Sequence, residues 1–249
     1  MRVAIIGSGI SGLYAAHQLA RHCDLSIFEA DSRPGGHSHT VDVAMDGQRL
    51  AMDTGFLVFN ERNYPHLTAL LRGLGVAYQP ADMSFSFRCA DSGVEYRGDT
   101  QFDAIFAQRR NLLRPAHYRM LRDILRFNRM SDQLLAAAPG VSLGDYLAQH
   151  GFRGPMLDDY LLPMAGAIWS AEPEKILEFP ASHFGHFFRN HGLLQTAGRP
   201  QWMTVSGGSR EYVRAIVAPF RERLLLNTPV EWIQRHPERV VIKAHGRPE

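Results

Sequence analysis

Three glycines, Gly7, Gly9 and Gly12, stand in G-x-G-x-x-G spacing directly after the apolar residues Val3, Ala4, Ile5 and Ile6. The first glycine permits a tight turn off a strand. The second lets a pyrophosphate approach the backbone, and the third lets a following helix pack close to the sheet. Ser8, Ile10 and Ser11 complete the turn. A segment with Leu13, Ala15, Ala16, Leu19 and Ala20 follows and reads as a helix over about residues 11–21. Its N-terminus offers free N–H groups and about half a positive charge to an anion. A second strand over residues 25–28 ends on Glu29 and Ala30. An acid at that point can accept hydrogen bonds from a ribose, and it would repel a 2′-phosphate, which argues against NADP. A glycine turn beside an unrelated surface Glu is the plain alternative, but strand, turn, helix, strand and acid occur here in their full order. The expected unit is a Rossmann-type crossover whose first strand is buried on both faces.

These elements need a domain around them. The chain has 249 residues, 45% of them hydrophobic, which is enough for a sizeable core in one or two domains. A net charge of +2 does not by itself point to nucleic acid. The two cysteines, Cys23 and Cys89, give neither a disulfide framework nor a metal spacing, so a reducing cytoplasm is the expected compartment. The N-terminal apolar run is too short for a signal peptide before its glycines break it. No apolar stretch is long enough for a membrane span.

After Glu29 the chain reads Arg33-Pro-Gly35-Gly36-His37. The glycine pair lets backbone pass close to a bulky group, and Arg33 has the charge to neutralise phosphate. A hairpin is expected across Asp46-Gly47, running into Asp53-Thr54-Gly55-Phe56. Together these motifs resemble the flavoprotein superfamily of amine oxidases, phytoene desaturases and protoporphyrinogen oxidases. That superfamily shares the glycine turn, the acid, an R-x-G-G-R stretch and a D-x-G segment; its second Arg is His37 here. A narrower similarity, to bacterial flavoproteins and to the flavoprotein-like domain of plant cyclopropane fatty acid synthases, is carried by residues 53–60, 159–164 and 205–210. The resemblance implies FAD as cofactor, held by Gly7, Ser8, Gly9, Ile10, Ser11, Gly12, Glu29, Ala30, Arg33, Gly35, Gly36, His37, Thr54, Gly55 and Phe56. It adds Val230, whose counterpart in the family contacts adenine through its backbone. It also implies a glutathione-reductase-type FAD domain interrupted by a mixed α+β substrate domain. The expected division is 1–80 and 204–249 for the first and 81–203 for the second.

The middle of the chain holds other candidates. Asn63 is expected to cap a helix that has Pro65 in its first turn. Ser84 to Arg97 reads as a second hairpin. Residues 108–132 carry seven arginines against Asp123 and Asp132. With Pro115 as a helix start, Arg119, Arg122, Arg126 and Arg129 share one face. Such a helix fits two roles, a solvated face over an ordinary core or a contact with anionic lipid. It lacks the interleaved aromatics of a nucleic-acid surface. Residues 155–162 are expected to form a helix. His183, His186 and His191 have no adjacent Glu and no nearby cysteine, so no metal site is expected. Tyr64, Trp169 and His183 are candidates for a substrate pocket. No catalytic residue is identified, because the two lysines, Lys175 and Lys243, match no family catalytic motif.

Gly207-Gly208-Ser209 opens an apolar-periodic helix that returns the chain to its first domain. Relatives of this kind continue through further strands and a last flavin-contacting segment. This chain is therefore expected to be C-terminally truncated relative to them, with exposed strand edges. The expected activity is hydride transfer from an apolar, acyl-lipid-like substrate to flavin. The alternatives are an NAD-dependent reductase and a non-catalytic dinucleotide-binding, membrane-associated module.

Overall fold

The computed structural model describes residues 1–98, 102–195, 198 and 200–246. The chain forms two compact units, one made of Met1–Ala81 with Gln201–Glu249 and the other of Asp82–Pro200. The first unit begins β1 (Arg2–Ile6), α1 (Ile10–Leu19), β2 (Asp24–Phe28), β3 (Thr40–Met45), β4 (Gln48–Asp53), α2 (Pro65–Gly73) and β5 (Tyr78–Ala81). The second holds β6 (Ser86–Arg88), β7 (Glu95–Arg97), α3 (Phe102–Ile105), a 3₁₀ turn (Arg109–Leu113), α4 (Pro115–Arg129) and α5 (Ser131–Leu135). It continues with α6 (Leu143–Gln149), a π turn (Leu157–Leu161), α7 (Leu162–Trp169), α8 (Pro173–Leu177) and α9 (Ala181–Asn190). The chain then returns to the first unit as β8 (Trp202–Val205), α10 (Arg210–Val217), β9 (Leu224–Leu225), β10 (Val230–Arg235) and β11 (Val240–Ala244).

In the first unit β1 and β2 run parallel, pairing Arg2 with Asp24 through Ile6 with Phe28. β9 adds to the far side of β2, giving the order β1-β2-β9. One face of this sheet is covered. Leu13 and Ala16 of α1 and Tyr212, Val213 and Ile216 of α10 bury Leu25 and Ile27 beneath them. The other face is open, and Ile6 is 48% exposed. The expectation that β1 is buried on both faces is therefore corrected. Among the described residues helices cover only one side, so the strand alternates between half-buried and exposed positions. The β3–β4 hairpin turns at Asp46 and Gly47, both with positive φ, the geometry of a two-residue primed turn.

Two further expectations are corrected. The domain boundary expected after residue 203 would cut β8, but β8 pairs along its whole length with β5, and the division falls before Gln201. Asn63 is not at the N-cap position of α2. Tyr64 holds that position, and the neighbouring turn is tied by the Asn63 N–H donating to Asn60 Oδ1 at 2.9 Å.

The second unit is mostly helical. Phe127, Leu134, Leu143, Leu147, Met156, Phe184 and Phe188 lie in its core. Trp169 packs there as well, with its ring centroid 4.6 Å from that of Phe187 and 5.5 Å from that of Phe184. Ser142 caps α6, accepting from the Asp145 N–H at 3.0 Å while its own hydroxyl donates back to the Asp145 carboxylate at 2.7 Å. The helix expected over residues 155–162 contains the π turn, and Pro163 gives a reason. Proline has no N–H to donate to the carbonyl of Asp159, four residues earlier. The Tyr96 hydroxyl, reaching from β7, donates to that carbonyl instead at 2.6 Å.

His117 of α4 is buried, at 3% exposure, between Tyr96 and Phe106. Its Nε2 lies 3.1 Å from the Ile105 carbonyl, which places the proton on Nε2 in the neutral ring, and Nδ1 has no hydrogen-bond partner among the described residues. Burial pushes its pKa below the usual histidine value. In the unfolded chain the ring takes a proton as pH falls through about 6.5, while the folded ring resists it, so stability falls with pH in that window. Thermal melts between pH 7.5 and pH 5 should show this loss, and His117→Phe should flatten it. An unchanged slope in the variant would remove His117 as its source.

Candidate functional site

The turn after β1 is built by contacts among the residues that the sequence singled out. The Gly7 N–H extends the sheet by donating to the Phe28 carbonyl at 2.8 Å. At Gly12 a Cβ would lie 2.1 Å from the Gly7 carbonyl oxygen, so only glycine lets α1 start this close to the turn. At Gly7 and Gly9 a Cβ would meet nothing within 4 Å. Gly9 is the N-cap of α1, with no capping side chain and no acid in the first turn. The first intrahelical bond runs from the Leu13 N–H to the Gly9 carbonyl. The N–H groups of Ser11 and Gly12 therefore have no intrahelical acceptor at the positive end of the helix.

Glu29 closes the other side. It is 9% exposed, and its carboxylate accepts from the Ser8 N–H at 2.7 Å, the Ser8 hydroxyl at 2.5 Å and the Asp31 N–H at 2.9 Å. Burial alone would raise its pKa. The hydrogen bonds from Asp31, Ser8 and Ala30 outweigh burial, and the net shift is downward. Glu29 is thus ionised and acceptor-only, aimed at the glycine turn. Its backbone is fixed by the return segment: its N–H donates to the Leu225 carbonyl at 2.9 Å, and its carbonyl accepts from the Thr228 N–H at 2.8 Å. Val230 follows at the start of β10.

The second glycine pair lies against the first turn. The Gly35 N–H donates to the Ser8 carbonyl at 2.9 Å, and Gly9 and Gly35 form a parallel bridge. Arg33 folds back, its Nη2 donating to the Gly36 carbonyl at 3.1 Å, so the guanidinium stiffens this loop as well as supplying charge. Residues 37–39 then run beside 54–56. The Phe56 N–H donates to the His37 carbonyl at 3.1 Å and the Thr54 N–H to the His39 carbonyl at 2.9 Å. A Cβ at Gly55 would sit 2.2 Å from the His37 oxygen. His37, Thr54 and Gly55 are exposed, while Phe56 is half-buried and stacks towards Phe59. The structure therefore joins the expected N-terminal segments into one hydrogen-bonded cluster in which Ser8, Glu29 and Gly35 are buried.

Sequence reasoning missed the clamp that ties this surface to α10. The Asp53 carboxylate accepts from the Ser209 N–H at 2.9 and 3.0 Å and from the Ser209 hydroxyl at 2.7 Å. Thr40 donates to Asp53 at 2.5 Å, and the Arg210 N–H donates to the Thr40 hydroxyl at 3.0 Å. Arg210 pairs with Asp42 at 2.7 Å. An acid at the start of α10 also complements the helix dipole. The available signal was Ser209, a capping residue type just before an apolar-periodic segment. Tyr64 packs on the core of the first unit, whereas Trp169 and His183 belong to the second. Lys175 pairs with Glu178 on an exposed surface at 3.1 Å, and Lys243 lies on β11.

Comparison with known proteins adds the following. A family model described as "Flavin containing amine oxidoreductase" matches residues 10–248. The chain is 27% identical to a protein carrying the name flavin-containing monoamine oxidase AofH, from Mycobacterium tuberculosis, over 96% of this chain and 53% of that protein. It is 28% identical to protoporphyrinogen oxidase 2 of Arabidopsis thaliana, over 70% of this chain and 34% of that one. The chain thus spans at most about half the length of these curated relatives. Among solved structures, cyclohexylamine oxidase from Brevibacterium oxydans superposes with a TM-score of 0.72 at 23% identity, over 99% of this chain and 55% of that one. The likeness shows the fold, an FAD-binding Rossmann-like domain in a mixed α/β chain.

Two substitutions test the turn. Gly12→Ala should destabilise the chain by about 1–3 kcal/mol, because its methyl meets rigid backbone. Glu29→Ala leaves the buried N–H and hydroxyl of Ser8 without their acceptor and should cost about 2 kcal/mol. Because its folded pKa is lowered, Glu29 contributes stability above the usual carboxyl pKa and loses it as pH falls. Denaturant titrations at pH 7 and pH 3.5 should therefore show a larger difference for the parent than for Glu29→Ala. Equal differences would remove Glu29 from the acid response.

Proposed function

The chain belongs to the family of flavin-containing amine oxidoreductases, and from that premise we propose that it binds FAD in the glycine cradle and oxidises an apolar substrate. The observation that carries this reading is the open space at Gly7 and Gly9, bounded by the free first turn of α1 and by ionised Glu29. The donor set fits a dinucleotide. Backbone N–H groups and a helix N-terminus suit a pyrophosphate, and a carboxylate suits a pair of ribose hydroxyls.

Gly9, Ile10, Ser11 and Gly12 would hold the pyrophosphate, with Gly7 and Ser8 shaping the turn and Arg33 supplying charge. Glu29 and Ala30 would hold the adenosine ribose, and the Val230 backbone the adenine. Gly35, Gly36, His37, Thr54, Gly55 and Phe56 offer low-profile backbone for the flat flavin ring. Bound there, FAD would supply hydride-accepting chemistry, and the protein would supply orientation. Ser8 is kept in place by Glu29, and the Asp53 clamp holds the glycine pair at the start of α10.

The substrate reading is an apolar molecule with an oxidisable C–H bond. The names of similar proteins support amines and protoporphyrinogen. The resemblance to the plant cyclopropane synthase domain supports an acyl chain, and that support is analogy of fold alone.

The test uses the purified chain loaded with FAD. Near-stoichiometric flavin absorption after desalting is expected, with anaerobic bleaching by a member of an amine and acyl-chain panel. Gly9→Val is the decisive variant. Gly9 has φ −66°, which any residue adopts, and its Cβ would enter empty space. The variant should fold with an unchanged melting temperature and retain no FAD. Undiminished FAD retention in Gly9→Val would overturn the assignment of the cradle, and a chain that retains no FAD at all would overturn the cofactor reading. Retention of FAD with no bleaching by any panel member would overturn the substrate reading.

A further inference from the structure

We propose that the 3₁₀ turn Arg109–Leu113 and the outer face of α4 form a docking surface for an anionic lipid bilayer. The proposal is independent of the cofactor reading and stands on the second unit alone. Residues 109–129 hold seven arginines against one acid, Asp123, which is buried. The structure sorts those arginines into two sets.

Four are engaged in holding the unit together. Arg109 pairs with Asp103 at 2.9 Å. Arg110 donates to the Gly93 carbonyl, and Arg114 donates to the Ser92 carbonyl at 3.2 Å, so both fasten the 3₁₀ turn to the β6–β7 hairpin. Arg126 lies 4.1 Å over the Phe152 ring and donates to the His150 carbonyl. The expected stripe of Arg119, Arg122, Arg126 and Arg129 is corrected accordingly, because Arg126 is half-buried and turned inward.

The other three, Arg119, Arg122 and Arg129, are exposed. Arg119 and Arg129 have no hydrogen-bond or ion-pair partner among the described residues. Arg122 pairs with the neighbouring Asp123 at 3.0 Å, with its side chain 71% exposed.

Between and beside these arginines stand large apolar groups in water. Leu113 is 87% exposed at the tip of the 3₁₀ turn, Tyr118 is 48% exposed and Leu125 is 46% exposed. The tip is held rigid by the Tyr118 hydroxyl, which donates to the Leu112 carbonyl at 3.0 Å. Leu112, Leu113, Pro115, Tyr118, Arg119 and Arg122 line one open groove of about 620 Å³. Four arginines hold the unit together and leave a solvated leucine beside two arginines without a partner among the described residues and a third, Arg122, paired only along its own helix, an arrangement that makes little sense for a surface that meets only water. It suits a bilayer, where arginines take headgroup phosphates, Leu113 enters the acyl boundary and Tyr118 sits at the interface. An acidic protein would answer the charge but not the isolated leucine tip, and nucleic acid would require a series of base-stacking aromatics, where this groove is lined by one, Tyr118.

The experiment is sedimentation of the full chain with vesicles of phosphatidylcholine alone and of phosphatidylcholine with phosphatidylserine. Binding to the anionic vesicles only, weakened by salt, is expected. Arg122→Glu should lower partitioning by at least about fivefold, the equivalent of one lost basic contact. Leu113→Ser leaves the charge unchanged and sits at a position too exposed to unfold the chain, and it should also reduce binding. Leu113→Trp should give fluorescence quenched by lipids brominated in their tails. No binding to anionic vesicles, or binding indifferent to both Arg122→Glu and Leu113→Ser, would overturn the proposal. Salt-sensitive binding that ignores Leu113→Ser and leaves Leu113→Trp unquenched would also overturn it, since it would mean charge attraction without insertion.

Discussion

Everything at the candidate site hangs on one buried carboxylate. Glu29 reaches from the end of β2 to the N–H and hydroxyl of Ser8, in the turn after β1. That contact joins two neighbouring parallel strands at their C-terminal ends, where a crossover sheet forms its crevice. It is charge-assisted and has little water to compete with it, so it is stronger than an ordinary neutral bond. It also fixes the Ser8 carbonyl that receives the Gly35 N–H. The loop after β2 is therefore registered on the loop after β1 through a single residue. Without the carboxylate, two N–H groups and a hydroxyl in a tight turn would need another acceptor, and the backbone would move to find one.

The return of the chain is secured by a second acid with similar logic. Asp53 stands at the end of β4 and accepts from Ser209 and Thr40 at the start of α10. Tyr212, one turn further on, is buried against the sheet, with its hydroxyl bonded to Ser38. An insertion of more than a hundred residues, Asp82–Pro200, separates the two sides of this clamp. Such an interruption is tolerable because loop-closure entropy rises only slowly with length, and because β5 and β8, which flank the insertion, pair with each other. The second unit has its own core and its own hydrogen-bond solutions, of which the Tyr96–Asp159 bond at the π turn is the clearest.

Much of this was legible in the letters. Gly12 announces itself because no other residue survives 2.1 Å from a carbonyl oxygen. Asp46-Gly47 sets its hairpin locally, and Ser142 its helix. What stayed hidden depends on partners distant in sequence. The role of Asp53 is fixed by Ser209, and periodicity in one segment carries no record of the other. The direction of Arg126 is set by Phe152 and by the His150 carbonyl. A helical wheel sees only its angle. The open face of β1 was missed because an apolar run looks the same whether one or both of its sides are covered.

The claim at the centre is that the first turn of α1 receives the diphosphate of an adenine dinucleotide while Glu29 receives its sugar. The most direct measurement is amide chemical-shift mapping of the isotope-labelled chain during titration with ADP. The account predicts that the amides of Gly9, Ile10, Ser11 and Gly12 move most, saturably, together with those near Glu29. Saturable binding of ADP with those amides unmoved, and the shifts gathered elsewhere, would contradict it.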